Sequence, residues 1–513
     1  MGKFINIEGK IKALDVLARL IRRAKKRGKK IVHCHGVFDL LHPGHIRYLE
    51  QAKSRGDILV VTITKDEFVN KGPGRPFFNQ YLRAESVAAL ECVNYVALNE
   101  WPTAVETIKK LHPHLYVKGK EYADREKDLT GNIYEEEEAI KSVGGEIYFT
   151  EDITFSSTSL LNIHFHVFSD ETKKFLNGFR KGYNAERVID VLRSLRDLKV
   201  LVVGDTIIDE YHYCSGIGKP QKENIIAVKY LYDKIFAGGS LAIANHVAGF
   251  CKEVELVSLL GGKNQYEPFI NSKLKTNVKR KFFLKKDAMT IVKRRFIDPS
   301  FLLKMFEVYF MDEFVLDDSI ERRVVGYLEK VVPKYDVVIV SDFGHGFITE
   351  KIISTLCNKA KFLAVNAQTN SANVGFNLIT KYTRADYICI DEPELRLAMH
   401  DKYSDVEQLV LKLGQAVDCG NIAITRGHKG SLIYSKQKKG IVSIPVFSKD
   451  IVDRTGAGDA YLSVTALAVA VKAPIEETGF IGNAVGALAV LIVGNRSSVE
   501  PVALYRFITT LLK

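Results

Sequence analysis

Two short stretches carry residues whose types and spacing would handle phosphate. The first is GVFDLLHPGH at 36–45. His42 and His45 stand three residues apart across a Pro-Gly turn, so both imidazoles are expected to face one cleft. There they would hydrogen-bond the α- and β-phosphates of a nucleoside triphosphate as charge builds in the transition state. Gly36 and Phe38 lead into the turn, and Gly44 lets the backbone approach a phosphate at a helix start. The second stretch is DRTGAGDAYLS at 453–463. Gly456, Ala457 and Gly458 would open a helix whose N–H groups form an anion hole for a transferred γ-phosphate. Asp459, at the same helix start, would take the proton from an attacking hydroxyl.

Those residues need particular elements behind them. From residue 31, short apolar runs alternate with amphipathic segments. Strands are expected over 31–35, 58–64, 94–98, 115–118 and 146–150, with helices between them, including 45–54, about 79–91 and 103–111. Repeated β-α order predicts a parallel sheet covered on both faces, with ligands at the carboxyl ends of its strands. Between about 164 and 198 the pattern turns amphipathic and highly charged, which predicts two packed connector helices rather than a floppy tether. A second α/β region opens with KVLVVGDTIIDEY at 199–211. The expected organisation is therefore a domain at 1–163, a helical connector at 164–198 and a second domain at 199–513.

Composition excludes several classes. A chain of 513 residues exceeds one ordinary core, and 46% hydrophobic with 26% charged residues reads as globular. No secretory leader pattern is seen, and the longest apolar runs, near 461–471 and 484–494, are too short to span a bilayer. Seven cysteines without CxxC or metal-ligand spacing fit a reducing cytoplasm. The net charge of +12 raises the question of nucleic acid. Its densest run, RRAKKRGKK at 22–30, ends a first helix, where the dipole favours cations, and has no interleaved aromatics around it. Triphosphates and sugar phosphates are the expected anionic partners; a nucleic-acid-binding role for the basic run is the minority alternative.

The N-terminal motifs resemble those of the nucleotidyltransferase superfamily that holds glycerol-phosphate cytidylyltransferases and heptose-phosphate adenylyltransferases. The likeness covers roughly 30–163. It includes TKDEFVNKGPGRP at 64–76, with Lys71 and Arg75 in the phosphate loop, then Arg83 in QYLRAESVAAL and VKGKEY at 117–122, whose Lys118 joins the substrate-binding set. It ends with FSSTSLL at 155–161, where Ser156, Ser157, Thr158 and backbone N–H groups would meet the triphosphate. The resemblance implies in-line attack of an acceptor phosphate oxygen on the α-phosphorus with Mg²⁺, pyrophosphate leaving. Glu151 and Asp152 stand where the glycerol-phosphate type carries an arginine, so ATP and CTP both remain open as donors.

The region from about 199 to 513 resembles the ribokinase-like sugar kinases. Asp205 ends a strand and Asp209 lies one helical turn on; either carboxylate suits sugar hydroxyls. FAGGSLAIANHVAGF at 236–250 supplies Gly238, Gly239 and Asn245 for the sugar, and the apolar stretch around 211–231 is expected to form a small β-lid. His345, in VVIVSDFGHGFIT, stands where heptose kinases typically have lysine. Asp391 and Glu394 stand where the family usually has asparagine and glutamate near the Mg²⁺ waters, so Glu394 matches and Asp391 departs. NIAITRGHKGSLIY at 421–434 falls beside the nucleotide.

Together these resemblances imply an α/β enzyme of two activities: a Rossmann-like nucleotidyltransferase domain followed by a ribokinase-like kinase domain with a β-lid. It looks similar to the bifunctional heptose kinase/adenylyltransferases of lipopolysaccharide biosynthesis, with the domain order reversed. A heptose is the first acceptor to consider, and another surface-polysaccharide sugar or polyol phosphate activated with CTP is the second. In an alternative reading the kinase-like domain only senses sugar or nucleotide and regulates the transferase. Sugar kinases of this fold often pair through their lids, so a homodimer is a further expectation.

Overall fold

The computed structural model describes residues 7–69, 71–122, 132–150, 168–300, 302–312, 315–438 and 440–513. The chain divides into two compact units, Met1–Ser169 with Tyr505–Leu511 and Lys513, and Asp170–Leu504 with Leu512.

After a single helical turn at Ile7–Lys10 comes helix α1 (Leu14–Lys26), whose buried residues Leu14, Leu17, Ala18 and Ile21 form one stripe at helical spacing. Arg23, Lys25 and Lys26 fall in its last turn, where they complement the dipole. Strand β1 (Ile31–Gly36) then leads through the first phosphate loop into α2 (Pro43–Ser54). Strand β2 (Ile58–Thr64), α3 (Gln80–Ala88), β3 (Tyr95–Asn99), α4 (Val105–Leu111), β4 (Leu115–Lys118), α5 (Asn132–Ser142) and β5 (Glu146–Phe149) follow. The sheet order is β3-β2-β1-β4-β5 and every pairing is parallel. The order reverses between β1 and β4, and the loop after β1 carries His42 and His45 to that point. Strands buried on both faces need apolar residues throughout, which is why ILVVTIT reads as a continuous run.

The second unit begins with helices α6 (Asp170–Phe179) and α7 (Ala185–Ser194). They are packed, not tethered: Phe179 stacks on Phe480 at 4.4 Å, and Thr172 donates to the Val446 carbonyl at 3.0 Å. The main sheet uses β6 (Lys199–Gly204), β9 (Glu253–Gly261), β10 (Val278–Lys285), β13 (Val337–Asp342), β14 (Leu363–Ala367), β15 (Ala385–Asp391), β16 (Cys419–Thr425), β17 (Ser431–Ser435) and β18 (Gly440–Ile444). Its order is β10-β9-β6-β13-β14-β15-β16-β17-β18, parallel as far as β16. A separate four-stranded lid has the order β12-β11-β7-β8, formed by β7 (Thr206–Gly218), β8 (Ala227–Gly239), β11 (Ile291–Asp298) and β12 (Leu303–Phe310).

One expectation is corrected here. Asp209 does not sit a helical turn beyond Asp205, because the chain runs directly from β6 into lid strand β7. The segment TIIDEYHYC is rich in β-branched and aromatic residues, and strand pairing with β8 and β11 uses them on both faces. The lid also recruits 291–310, beyond the stretch around 211–231.

The helices of this unit that follow are α8 (Ser240–Phe250), α9 (Glu267–Lys273), α10 (Asp318–Val331), α11 (Glu350–Lys359), α12 (Glu392–Ala398), α13 (Val406–Ala416), α14 (Ala457–Ala470) and α15 (Ile475–Ala489). Helix α14 is apolar around nearly its whole circumference and is buried from Asp459 to Ala468, which fixes the body of the helix. Among the described residues no helix is long and apolar enough to cross a membrane, and all seven cysteines are free.

Candidate active sites

In the first unit His42 is the N-cap of α2 without capping it through its side chain, and Pro43 occupies the first turn. The imidazoles of His42 and His45 stack at 4.0 Å between centroids. Burial pushes both below the usual histidine range, His45 to about 3 with the His42 and Lys71 charges adding to the effect. They are therefore neutral donors near pH 7. Phe38, at φ 48°, turns the loop and sets its ring edge-on to His45 at 5.3 Å. A Cβ on Gly36 would come within 3.0 Å of that ring.

The second loop is tied to the first by charge. Asp39 accepts from the Phe77 N–H at 2.7 Å and the Phe78 N–H at 3.1 Å, and pairs with Arg75 at 3.5 Å. Lys71, pushed down to about 8 by burial against the pull of Asp39, completes a cationic wall. Arg83 underlies both loops. Its buried guanidinium donates to the carbonyls of Val37, Thr64 and Phe78 and to Asp66 at 2.6 Å.

Lys118 is placed differently from its expected substrate role. It forms a buried ion pair with Glu136 at 2.8 Å and lies over the rings of Tyr116 and Tyr122. A free ammonium at this depth would be costly, and Glu136 neutralises it. Beneath the loop, Thr62 joins His33 at 2.8 Å and His35 at 2.9 Å, with Thr64 3.2 Å from the other nitrogen of His35. This buried imidazole network was not anticipated; its only trace in sequence is polar residues at alternate positions of two apolar strands. Ser156, Ser157 and Thr158 lie outside the described residues. An open cavity of about 670 Å³ sits at the ends of β2 and β3, lined by Lys65, Asp66, Gln80 and Tyr81 but by neither His42 nor His45.

In the second unit Gly456 takes φ +80°, a left-handed turn that opens α14. A side chain there would also collide with Asn495, since a Cβ would fall 2.2 Å from its Oδ1. Ala457, Gly458 and Asp459 form the first turn; the Ala457 N–H donates to the Arg454 carbonyl at 3.3 Å, and the other first-turn N–H groups are the ones available to an anion. Asp459 is pushed up to about 7, first by burial and then by Asp209, against the opposing effect of Lys293. Gln368 donates to it at 3.3 Å.

The two acidic residues assigned to sugar contact separate. Asp205 faces inward, accepting from the Phe343 N–H at 2.9 Å, and is raised to about 7 by burial and by Asp342. Asp209 stands at the site, bonded by Arg295 of β11 and by Asn495 at 3.3 Å. Gly238 is required opposite it, because a Cβ would fall 2.1 Å from the Asp209 carboxylate. Gly239, at φ 55°, starts α8. Asn245 is not brought to the sugar side: its amide donates to the Lys273 carbonyl at 3.0 Å and accepts from Lys275 N–H at 2.9 Å, fixing the end of α9.

Lys293 and Arg295, which the motif reading missed, enter from β11. Lys293 is the cross-strand partner of Asp209, and only 6% of it is exposed. Its ammonium makes no hydrogen bond or ion pair among the described residues and lies over Tyr309 at 5.1 Å and Phe343 at 5.6 Å. Near it His345 is pushed down to about 3 by burial and then by Lys293, and its buried Nε2 has no hydrogen-bond partner among the described residues. The signal was present as KRR inside an otherwise apolar strand, where alternation puts 293 and 295 on one face.

Asp391 and Glu394 form a capping box on α12. Glu394 accepts from Asp391 N–H at 2.8 Å and Thr369 N–H at 3.1 Å and is raised to about 8 by burial and by the Asp391 charge. With Glu394 bonded to backbone through both oxygens, the pair fits a hydrated divalent cation held through its water shell rather than by direct coordination. Among the described residues no cluster of three or more metal-ligating side chains occurs.

Comparisons with known proteins follow this division. The model of the pfkB family of carbohydrate kinases matches residues 197–502, and the cytidylyltransferase-like model matches 33–162. The Bifunctional protein HldE of Pelobacter propionicus is 40% identical over 154 residues, 30% of each chain. That of Geobacter metallireducens is 38% identical over 170 residues, 32% of this chain and 33% of the relative. These matches fall in the N-terminal region, so the chain aligns with about a third of the relatives' length. Among solved structures, Arabidopsis thaliana ribokinase with ribose and ATP covers 62% of this chain and 99% of its own at 15% identity and a TM-score of 0.46. Phosphofructokinase-2 from Escherichia coli covers 61% and 99% at 13% identity and a TM-score of 0.49. The chain belongs to the pfkB family of carbohydrate kinases and carries a cytidylyltransferase-like domain ahead of its kinase domain.

Proposed function

We propose that the chain is a bifunctional transferase that phosphorylates a sugar with ATP and transfers a nucleotidyl group from ATP or CTP to a sugar phosphate. The observation that carries the kinase half is Asp459: a carboxyl titrating near neutrality in the first turn of α14, beside the Gly456–Gly458 N–H groups. It takes the acceptor hydroxyl's proton as the oxygen attacks the γ-phosphorus, and the helix N-terminus holds the group in transit. Asp391 and Glu394 would hold a hydrated Mg²⁺, which would supply positive charge to the triphosphate. Asp209 accepts sugar hydroxyls, with Arg295 fixing its orientation.

A sugar that already carries a phosphate is the acceptor this cleft supports best. Among the described residues, Lys293 is a buried ammonium without an ion-pair partner, and His345 adds a buried nitrogen without a hydrogen-bond partner. An anionic substituent would remove the cost of burying that charge. A heptose phosphate satisfies this, and the product class is a nucleotide-activated sugar for surface polysaccharide such as lipopolysaccharide. In the transferase half, neutral His42 and His45 with Lys71 and Arg75 receive charge as pyrophosphate leaves.

We place the enzyme in the cytoplasm, where ATP and reduced thiols coexist. A homodimer through the lid is supported by its apolar outer residues, among them Ile217, 70% exposed, and Ile226. The test is a panel of sugars and sugar phosphates incubated with ATP. Acceptor-dependent ADP release that Asp459→Asn abolishes supports the kinase. Pyrophosphate release with no acceptor-dependent ADP across the panel would point instead to a sensing domain regulating the transferase.

A further inference from the structure

Asp453, at the head of the phosphate-binding turn, is a junction between lid and core. Lys304 of lid strand β12 donates to its Oδ1 at 2.8 Å and also to Thr455 Oγ1 at 2.5 Å. Tyr211 of lid strand β7 donates its hydroxyl to the other carboxylate oxygen at 2.7 Å. From the core, the Thr455 N–H at 3.1 Å and the Gly494 N–H at 2.8 Å reach the same carboxylate. Asp453 is 8% exposed, and these bonds hold it down to about 2 in spite of burial. Two lid donors and two core donors thus share one buried carboxylate.

The turn depends on that junction. Gly456 has no side chain to cap α14, and its left-handed conformation leaves the turn without steric support of its own. The position of the first N–H groups is therefore set through Asp453 and Thr455. Lys304 bonds both, and the Tyr211 hydroxyl, also from the lid, bonds Asp453 beside it. An exposed lysine pair contributes little, whereas a pair with one buried, multiply bonded carboxylate fixes geometry.

We infer that Lys304 is a positioning residue of the kinase half: it seats the lid's edge strand on the phosphate-binding turn, so that the anion hole is complete only when the lid is down. This rests on reading Gly456–Asp459 as the anion hole and base. A sugar that draws the lid closed thereby readies the γ-phosphate site, and ATP without acceptor meets a poorly ordered one. Acceptor and nucleotide binding become coupled through Lys304.

The experiment uses the full chain with Lys304→Met, Lys304→Arg, Asp459→Asn and, as a surface control, Lys229→Met on the exposed face of β8. Acceptor-dependent ADP release gives kcat and KM, and calorimetry with a non-hydrolysable ATP analogue is run with and without acceptor. Lys304→Met is expected to lower kcat at least tenfold with acceptor KM within about threefold, and to abolish the acceptor's tightening of analogue binding. Lys304→Arg, keeping charge and two donors, should recover most of kcat, and Lys229→Met should match the parent. Unchanged thermal unfolding and pyrophosphate release certify that each variant is folded. Parent-like kcat and coupling in Lys304→Met, with Asp459→Asn inactive, overturns the inference alone. A rise in acceptor KM with kcat unchanged also overturns it, since that marks a substrate contact. Activity in Asp459→Asn overturns the site reading beneath it.

Discussion

The guanidinium of Arg83 donates to the carbonyl of Val37, 46 residues earlier, at 2.5 Å. Through it α3 holds the loop that carries His42 and His45, and its other bonds hold the ends of β2 and of the Lys71–Arg75 loop. Arg83→Met would leave three carbonyls and Asp66 without that donor in a buried site. A destabilisation of about 3–5 kcal/mol is expected, with pyrophosphate release down at least about a hundredfold. Urea titration and a pyrophosphate assay check both. Arg83→Lys should be intermediate, because an ammonium cannot span the same acceptors.

His42→Ala and His45→Ala each remove one neutral donor from the triphosphate. Each should lower pyrophosphate release by roughly a hundredfold or more, while acceptor-dependent ADP release in the same preparation stays near the parent value. Comparing the two assays on one sample isolates the effect to the first unit.

Asp459 sets the pH dependence of the kinase half. Its folded value, raised to about 7, means the base is largely protonated below that pH. The rate at limiting acceptor should climb as pH rises through about 7 and level off above it. A pH profile between about 5.5 and 8.5, roughly one and a half decades of proton activity either side of 7, reads this directly. In stability the sign is opposite: a raised carboxylate favours the folded state below its unfolded value and loses that contribution as pH rises through about 7.

The pair of buried His33 and half-buried His35 acts the other way. Burial holds both at about 3, so the folded chain resists protonating them. Their contribution is full above the unfolded value of about 6.5 and is lost as pH falls toward 3. His33→Gln, which retains a side-chain amide for Thr62, should shift the acid-unfolding midpoint of the first unit to lower pH, measured by circular dichroism.

Much of the fold was legible because its signals are local. ILVVTIT and VVIVSD can only be strands buried on both faces, and the glycine turns before α2 and α14 are fixed by short-range backbone needs. What the sequence hid depends on pairing between distant segments. Lys293 acquires meaning only when β11 lies beside β7 and sets it opposite Asp209. Asn245 looked available for a sugar until α9 packed against α8 and engaged both ends of its amide. Lys118 likewise belongs to Glu136, a partner supplied by a helix the motif does not include.

The central claim is that two transfers reside on one chain, each with its own site. Mass spectrometry of products from a sugar and sugar-phosphate panel with ATP and CTP tests it most directly. The account predicts a phosphorylated sugar lost in Asp459→Asn alone and a nucleotidyl sugar lost in His45→Ala alone. Loss of both products in either single variant, or a nucleotidyl product with no phosphorylated one from any acceptor, would contradict it.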